Sequence, residues 1–474
     1  MNIKRRSFLK GMAGVGAGLL LPTHQVLGAN ERVNIAVAGV NGRGKGHVKE
    51  FNNLENVNVI AICDPDTEVM DKCAKHAPGA KKIQDYRMVL EMKDLDALVI
   101  ATPNHWHAPM AIAACQAGKH VYVEKPVSHC IWEGRQMCDA RRKYKRVIQA
   151  GTQQLSCPAP TECGEDIRSG KYGKVKWVHC FKMHDRPSAG KRAKPMEIPS
   201  HIDYNLWAGP APMDPIYRDN LHYDWHWDLR WGDGEMGNWA VHYTSDLCFM
   251  LGWTEAPDSV MSAGGRFLWD DAADAPNMLF SMMEHKGIPL TVEIRDLTVS
   301  KGSSAKSTYM GSRGGNIIMC EKALIKIGRG SGKAYTPDGK EEIKHYVGNS
   351  GKGHRENFID AIKADDHGQL NAPIEGCHIS TAICHLSNIS YRAGKMASPD
   401  LIRSRMKDYE DIRITVDDQL KQIEANEGNM SKIILGPKLT FDPQAEKFVG
   451  ENSAEANRLL RYEMRKEFAV PDQV

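Results

Sequence analysis

Val33-Asn34-Ile35-Ala36-Val37-Ala38-Gly39-Val40-Asn41-Gly42-Arg43-Gly44 is the stretch from which the rest of the chain can be read. A short apolar run ends in glycines at 39, 42 and 44, then gives way to a helical pattern reaching about residue 53 and a second apolar run over 57–63. That order predicts one βαβ unit. Glycine lets the backbone come close to a ligand, and the free N–H groups at a helix start favour an anion, so the turn suits a pyrophosphate. Asp64 ends the second run, 20 residues past Gly44, where a carboxylate can bond both hydroxyls of a ribose. The same charge repels a 2′-phosphate, so the expected cofactor is NAD rather than NADP, a preference that Arg43 weakens slightly. Gly39, Asn41, Gly42, Arg43, Gly44 and Asp64 are thus candidate cofactor-binding residues.

Outward from this unit, strands are predicted at 97–101, 120–123 and 146–150, with helices at 108–117 and 131–144 between them. Alternation of this kind implies a parallel sheet covered on both faces, a Rossmann domain over 30–150. Beyond Gly151 the strands lengthen and alternate, at 174–184, 260–267, 278–283 and 290–295, which predicts an α+β domain over 151–474 with a large open, mainly antiparallel sheet. An irregular stretch rich in Trp, Pro, His and Gly fills 187–233, and long loops of that composition are usually functional. Helices are predicted at 355–364, 376–393 and 454–467, the C-terminal ones packing back on the Rossmann domain. Two domains and a leader fit the 474 residues.

The leader is Lys4-Arg5-Arg6-Ser7-Phe8-Leu9-Lys10, a Gly/Ala/Leu stretch and a small-residue end at Gly28-Ala29, read as a twin-arginine signal over 1–29. Its apolar part is well short of the roughly 20 residues that span a bilayer, so it is an address and no stable membrane insertion is expected. The expected destination is the periplasm or beyond, and the export machinery is an implied partner. Export of a folded protein implies a cofactor loaded and held tightly beforehand. It also means that the twelve cysteines first meet a reducing compartment. They form no CxxC pair, and most are expected to be buried thiols, although Cys157 and Cys163 are close enough in sequence to bridge. With 62 basic and 59 acidic residues the formal charge is +3, and nothing favours nucleic acid as a partner.

Five further segments carry a family resemblance. Ala101-Thr102-Pro103-Asn104-His105-Trp106-His107 and Val123-Glu124-Lys125-Pro126 each end a predicted strand, and Gly151-Thr152-Gln153-Gln154, Leu206-Trp207-Ala208-Gly209-Pro210-Ala211-Pro212 and His385-Leu386-Ser387-Asn388-Ile389 follow. Together they resemble the Gfo/Idh/MocA family of oxidoreductases. The resemblance implies cofactor contacts from Thr102, Pro103, Asn104, His107, Glu124, Lys125 and Gln153, a commonly cis proline bond after Lys125, and a lysine that reaches substrate beside the nicotinamide.

Many members of that family carry an Asp-x-x-x-His pair on the helix facing the nicotinamide. Here Gly237-Asn238-Trp239-Ala240-Val241-His242 places Asn238 where the Asp would stand, with Asp246 four residues past His242. The Gly-Asn-x-x-Val-His-x-x-x-Asp form is similar to the branch containing the NAD-dependent glycosidases of glycoside hydrolase family 109. Oxidising a carbinol needs a base for the hydroxyl proton and a hydride acceptor at one carbon. Lys125 and His242 are the candidate catalytic residues. Asn238, His242 and Asp246 lie a helical turn apart, so Asn238 and His242 can share a substrate while Asp246 orients the imidazole.

In the irregular loop, Trp207, His222, Trp225 and His226 suit carbohydrate, since aromatic faces stack on pyranose C–H faces and histidines bond hydroxyls. His222, Asp224 and His226 also have a spacing open to metal, but no metal is expected. The expected activity is hydride transfer between a ring carbinol of a carbohydrate or glycoside and tightly bound NAD. A redox-neutral glycosidase, working by oxidation, elimination and re-reduction, needs the same residues, and a non-catalytic sugar-binding protein is a third reading. An open antiparallel sheet tends to pair through one face, so a homo-oligomer is also expected.

Overall fold

The computed structural model describes residues 32–406 and 410–474; the predicted signal lies outside them. Its first half is an alternating series: β1 (Val33–Ala38), α1 (Arg43–Asn52), β2 (Val57–Cys63), α2 (Thr67–Ala74), β3 (Lys81–Ile83), α3 (Tyr86–Leu90), β4 (Ala97–Ile100), α4 (His107–Gln116), β5 (His120–Val123), α5 (Ile131–Tyr144) and β6 (Ile148–Ala150). The strands form one parallel sheet in the order β3-β2-β1-β4-β5-β6. β1 and β4 are buried along nearly their whole length, as sheets covered on both faces require. The strand order reverses between β1 and β4, and ligands of open α/β sheets sit outside the carboxyl ends at such a point.

After α6 (Pro158–Arg168) comes the second sheet, made of β7 (Val175–Met183), β8 (Ser259–Gly265), β9 (Met278–His285), β10 (Ile288–Arg295), β11 (Gly314–Cys320), β12 (Leu324–Ile327), β13 (Ser331–Tyr335), β14 (Glu342–Val347) and four short late strands. Its path runs β14-β13-β12-β11-β7-β10-β9-β8, antiparallel throughout except for the parallel pair β7–β10. Period-two alternation decides what each face covers. Val260, Leu279 and Met283 join one apolar cluster with helices α8 (Val241–Leu251) and α10 (Ile374–Arg392), whereas Met261, Phe280 and Met282 join another with Val416, Leu420 and Ile423 from α12 (Glu410–Ala425).

Between β7 and α8 the irregular stretch holds a short helix, α7 (Tyr204–Ala208), and a small core of its own in which Ile202, Trp207, Ile216, Leu221 and Trp231 are buried together. The helix predicted over 454–467 is shorter: α13 (Ser453–Arg458) ends nine residues earlier. The chain then runs out so that the Tyr462 hydroxyl donates to Glu133 at 2.8 Å and the Phe468 ring meets Trp106 edge-on at 5.2 Å. α9 (His354–Lys363) and the start of α10 also pack on the first sheet, where Ala372, Ile374 and Cys377 enter its apolar cluster. All twelve cysteines are free and buried, Cys157 and Cys163 included.

Candidate functional site

Gly39 has φ +78°, and a Cβ there would lie 2.7 Å from the Ala101 carbonyl; at Gly44 a Cβ would lie 1.7 Å from the Gly39 oxygen. Both glycines are required by the crossing of β1's end, β4's end and α1. At Gly42, by contrast, a Cβ would meet nothing within 4 Å. α1 begins there without a side-chain cap and without an acidic residue in its first turn. Its N–H groups and the positive end of its dipole are left to whatever enters from outside. α2 differs, since the Asp66 carboxylate accepts from Glu68 and Val69 N–H.

The open turn borders a cavity of ≈ 870 Å³. Asp64 faces it with one oxygen accepting from Val40 N–H at 2.8 Å and the other from Asp66 N–H at 3.0 Å. Burial nevertheless raises its carboxyl to about 6. Thr102, Pro103, Asn104 and His107 line the same space from the end of β4, and Glu124, Lys125 and Gln153 from beyond β5 and β6. An extended dinucleotide fits this set: an uncapped helix start over an unfilled glycine, a carboxylate beyond the second strand, and polar groups along the next strand ends.

Several of these residues are tied to the protein itself. His107 sets its two ring nitrogens against the carbonyls of Thr102 (2.9 Å) and Pro126 (2.6 Å), bracing the turn that holds the cis Lys125-Pro126 bond. Glu124 is buried against His47 (2.8 Å), Arg43 (3.1 Å) and Gln153 (3.2 Å), and His47 with the two positive charges of Arg43 and Lys125 offsets its burial, so the carboxyl stays well below its usual range. Asn104 donates to Asp233 at 2.7 Å.

Across the cavity a single π-helical turn, Met236–Ala240, leads into α8. It carries Asn238 and Trp239, with His242 one turn further, all on the cavity wall. Lys125 Nζ donates to the Asn238 carbonyl at 2.7 Å. Burial and the charges of Arg329 and Arg43 lower the Lys125 pKa, against the opposing pull of Glu124 and Glu235. His242 is pushed well below the usual imidazole range by burial first and then by Lys125 and Arg329. It is therefore neutral and available as an acceptor, and beside it stands an amine that gives up its proton more readily than an ordinary lysine.

Asp246 stands apart from the role expected of it. Its carboxyl is off the cavity wall, Oδ1 has no hydrogen-bond partner, and burial raises it to about 7. No hydrogen bond joins it to His242 among the described residues, so orientation of the imidazole falls instead to packing against Trp239, at 5.6 Å between rings. In the loop, Trp225 and His222 line the cavity, but His222 is held by Asp66 at 2.9 Å. Trp207 and His226 touch the cavity while being 3 % exposed, Trp207 stacked on Tyr204 and His226 bonded to the Tyr223 carbonyl. Trp239, Tyr223 and Arg329 also line it and carry no recognised spacing signal, although Arg329 stands in a Gly-Arg-Gly-Ser-Gly hairpin between β12 and β13.

Comparison with known proteins agrees with this fold. Residues 33–152 match the profile described as oxidoreductase family, NAD-binding Rossmann fold, and residues 174–273 that of its C-terminal alpha/beta domain. Residues 2–22 match a twin-arginine translocation signal, which directs export to the periplasm or beyond. No helix among the described residues is long and apolar enough to cross a membrane. An alpha-N-acetylgalactosaminidase of Shewanella oneidensis is 33% identical over 176 residues, covering 31% of this chain and 38% of that protein. A glycosyl hydrolase family 109 protein of another Shewanella strain is 32% identical over the same length and coverage. The match thus spans well under half the length of these curated relatives. Among solved structures, a levoglucosan dehydrogenase in complex with NADH and levoglucosan superposes with TM-score 0.58 at 17% identity, covering 76% of this chain and 96% of that one. The WlbA dehydrogenase of Bordetella pertussis, in complex with NADH and UDP-GlcNAcA, gives 0.57 at 18%, with 76% and 97% coverage. At such identity the likeness establishes the fold.

Proposed function

Because this chain belongs to the Gfo/Idh/MocA oxidoreductase family, we propose that it holds NAD tightly and moves a hydride to and from a ring carbinol carbon of a carbohydrate or glycoside. One observation carries this reading. The open glycine turn, Asp64, Lys125 and His242 all line one cavity, so the cofactor groove and two proton acceptors meet there. The Asp64 carboxylate on the cavity wall supports NAD over NADP, because its charge would repel a 2′-phosphate.

Bound NAD would supply the hydride acceptor and, with it, a positive charge beside Lys125. The protein's part is to bind, orient and move protons. Lys125, fixed by the Asn238 carbonyl and weakened as an acid-base cation by burial, takes the hydroxyl proton as the alcohol becomes a ketone. Neutral His242 accepts a hydrogen bond from the same or the neighbouring hydroxyl. Trp225, Trp239 and Tyr223 offer aromatic faces to the ring.

A redox-neutral glycosidase is the second reading, favoured by the relatives named above and by export away from a free NAD pool. Oxidation of a ring carbinol would acidify the neighbouring C–H, loss of that proton would expel the glycosidic oxygen with the aglycone, water would then add across the resulting double bond, and return of the hydride to the ketone would leave the hydrolysed sugar. Purified protein given aryl glycosides separates the two. Release of the aglycone without an added oxidant supports the glycosidase, and turnover only with an electron acceptor supports the dehydrogenase. No turnover of any sugar under either condition would leave the non-catalytic reading standing and refute both.

A further inference from the structure

Beneath the cavity wall, His184, Glu235 and Asp296 offer ligand atoms that all lie within 4.8 Å of one another. We propose that these three side chains bind a divalent cation of the zinc or manganese type, which clamps the helix bearing Asn238 and His242 to the second sheet. The topology brings them together. His184 follows the end of β7 and Asp296 the end of β10, and these strands pair in parallel, so both residues leave the sheet at the same end. His184 N–H donates to the Arg295 carbonyl at 2.7 Å, which locks the two strand ends side by side. Glu235 immediately precedes the π-helical turn and points down onto them.

The pairing within the group is incomplete in a way that points to a ligand. Glu235 Oε1 is well provided for, by Asn238 Nδ2 at 2.9 Å, Arg186 Nε at 3.2 Å and His226 Nε2 at 3.5 Å. Its other oxygen, Oε2, has no hydrogen bond, nor has His184 Nδ1 only 3.3 Å away. Both carboxylate oxygens of Asp296 are likewise unpartnered, and Asp296 and Glu235 are each 1 % exposed. Two buried carboxylates with ligand oxygens within 4.8 Å of each other and of an imidazole nitrogen, one of them with neither oxygen hydrogen-bonded, form a costly arrangement in a protein interior, and a shared cation relieves it. One imidazole and two carboxylates suit zinc or manganese better than calcium or magnesium, which favour oxygen alone. Arg186 pairs with the opposite oxygen of Glu235, and no hydrogen bond or ion pair joins its guanidinium to the Asp296 carboxylate among the described residues. His184, 13% exposed at its side chain, leaves a way in.

A cation here would act on the site at one remove. Glu235 holds Asn238 through Nδ2, and the Asn238 carbonyl holds Lys125, so these three are positioned by whatever fixes Glu235. The site does not depend on the sugar reading.

The test uses the purified protein with its nucleotide in place, stripped with a chelator and titrated with Zn²⁺ or Mn²⁺ alone. Metal content after gel filtration, nucleotide content and Tm are measured on each sample. The expected result is about one equivalent of metal per chain and, at a hundredfold excess over Kd, a Tm rise of about 3 °C. Asp296→Asn and His184→Gln should each abolish the rise; if the buried Asp296→Asn protein does not fold, the partly exposed His184→Gln variant decides. Anomalous scattering at the metal edge should place the peak between the three side chains. A wild-type protein with neither metal nor a Tm response, a response undiminished in the variants, or a peak elsewhere would overturn the assignment. Nucleotide content in the same samples shows separately whether the cofactor reading has failed.

Discussion

Lys125 Nζ and the main-chain oxygen of Asn238 lie 2.7 Å apart, which joins the end of β5 in the first sheet to the π-helical turn before α8. The contact spans 113 residues of sequence and uses a backbone acceptor, so it survives any side chain at 238. π-turns recur at functional sites because they displace one carbonyl from the regular ladder. Here the carbonyl receives the amine proposed as the base.

Lys125→Met removes that base while keeping the stem's volume. The turnover number should fall by ~10²–10⁴, the range expected for a lost general base, far more than any loss of bound nucleotide. Steady-state kinetics beside a nucleotide count check this. A variant with near-normal turnover would assign the proton transfer elsewhere.

The pH profile follows from the direction of two shifts. Lys125 is lowered from its ordinary 10.5, so its basic form accumulates as pH rises through a value below that figure. Oxidation should speed up with pH, with its midpoint below 10.5. His242 lies well below 6.5 and stays neutral throughout, so it adds no limb near neutrality. The profile of kcat/KM reads this directly; a midpoint at or above the ordinary lysine value would contradict it.

Much of this site can be read in the sequence, and the limits have physical causes. The turn at 39–44 and Asp64 are legible because a phosphate site at a helix start is built from consecutive residues of fixed type. Lys125 and His242 become legible through their flanking motifs. The role expected of Asp246 is not found, because helical spacing fixes the side of a helix and not what the side chain packs against; here it is buried off the cavity wall. Trp207 and His226 read as sugar-binding surface and are largely buried, since composition alone does not separate a stacking platform from a small aromatic core. His184, Glu235 and Asp296 meet only through the parallel pairing of β7 and β10, and no local spacing announces long-range pairing of that kind.

Asp246 supplies a stability test. Burial raises it from 3.8 to about 7, so the folded chain binds a proton there that the unfolded chain has lost between those values. Stability from this residue is therefore full below pH 3.8 and declines as pH rises to 7. Asp246→Asn should stabilise the protein progressively with pH, by up to about 4 kcal/mol at pH 8 on the scale of 1.36 kcal/mol per unit. Denaturant melts of both proteins at pH 5 and 8 check the trend; an equal difference at the two values would refute it.

Two alanine substitutions separate fold from cofactor. Gly44→Ala drives a methyl group into the Gly39 oxygen and should destabilise the chain by about 1–3 kcal/mol. Gly42→Ala meets no protein atom within 4 Å, and at φ −92° and ψ −97° its cost is limited to the backbone, so Tm should fall less than in Gly44→Ala. Its methyl enters the space reserved for a pyrophosphate, and dinucleotide affinity should drop at least tenfold, about 1.4 kcal/mol. Tm and NAD titration on both variants distinguish the outcomes.

The most direct measurement is mass spectrometry of the nucleotide freed when the exported protein is denatured. A dinucleotide resting on the open start of α1, opposite Lys125 and His242, predicts NAD or NADH at about one per chain. Protein that releases no nucleotide and takes up neither NAD nor NADP when they are added would contradict the account.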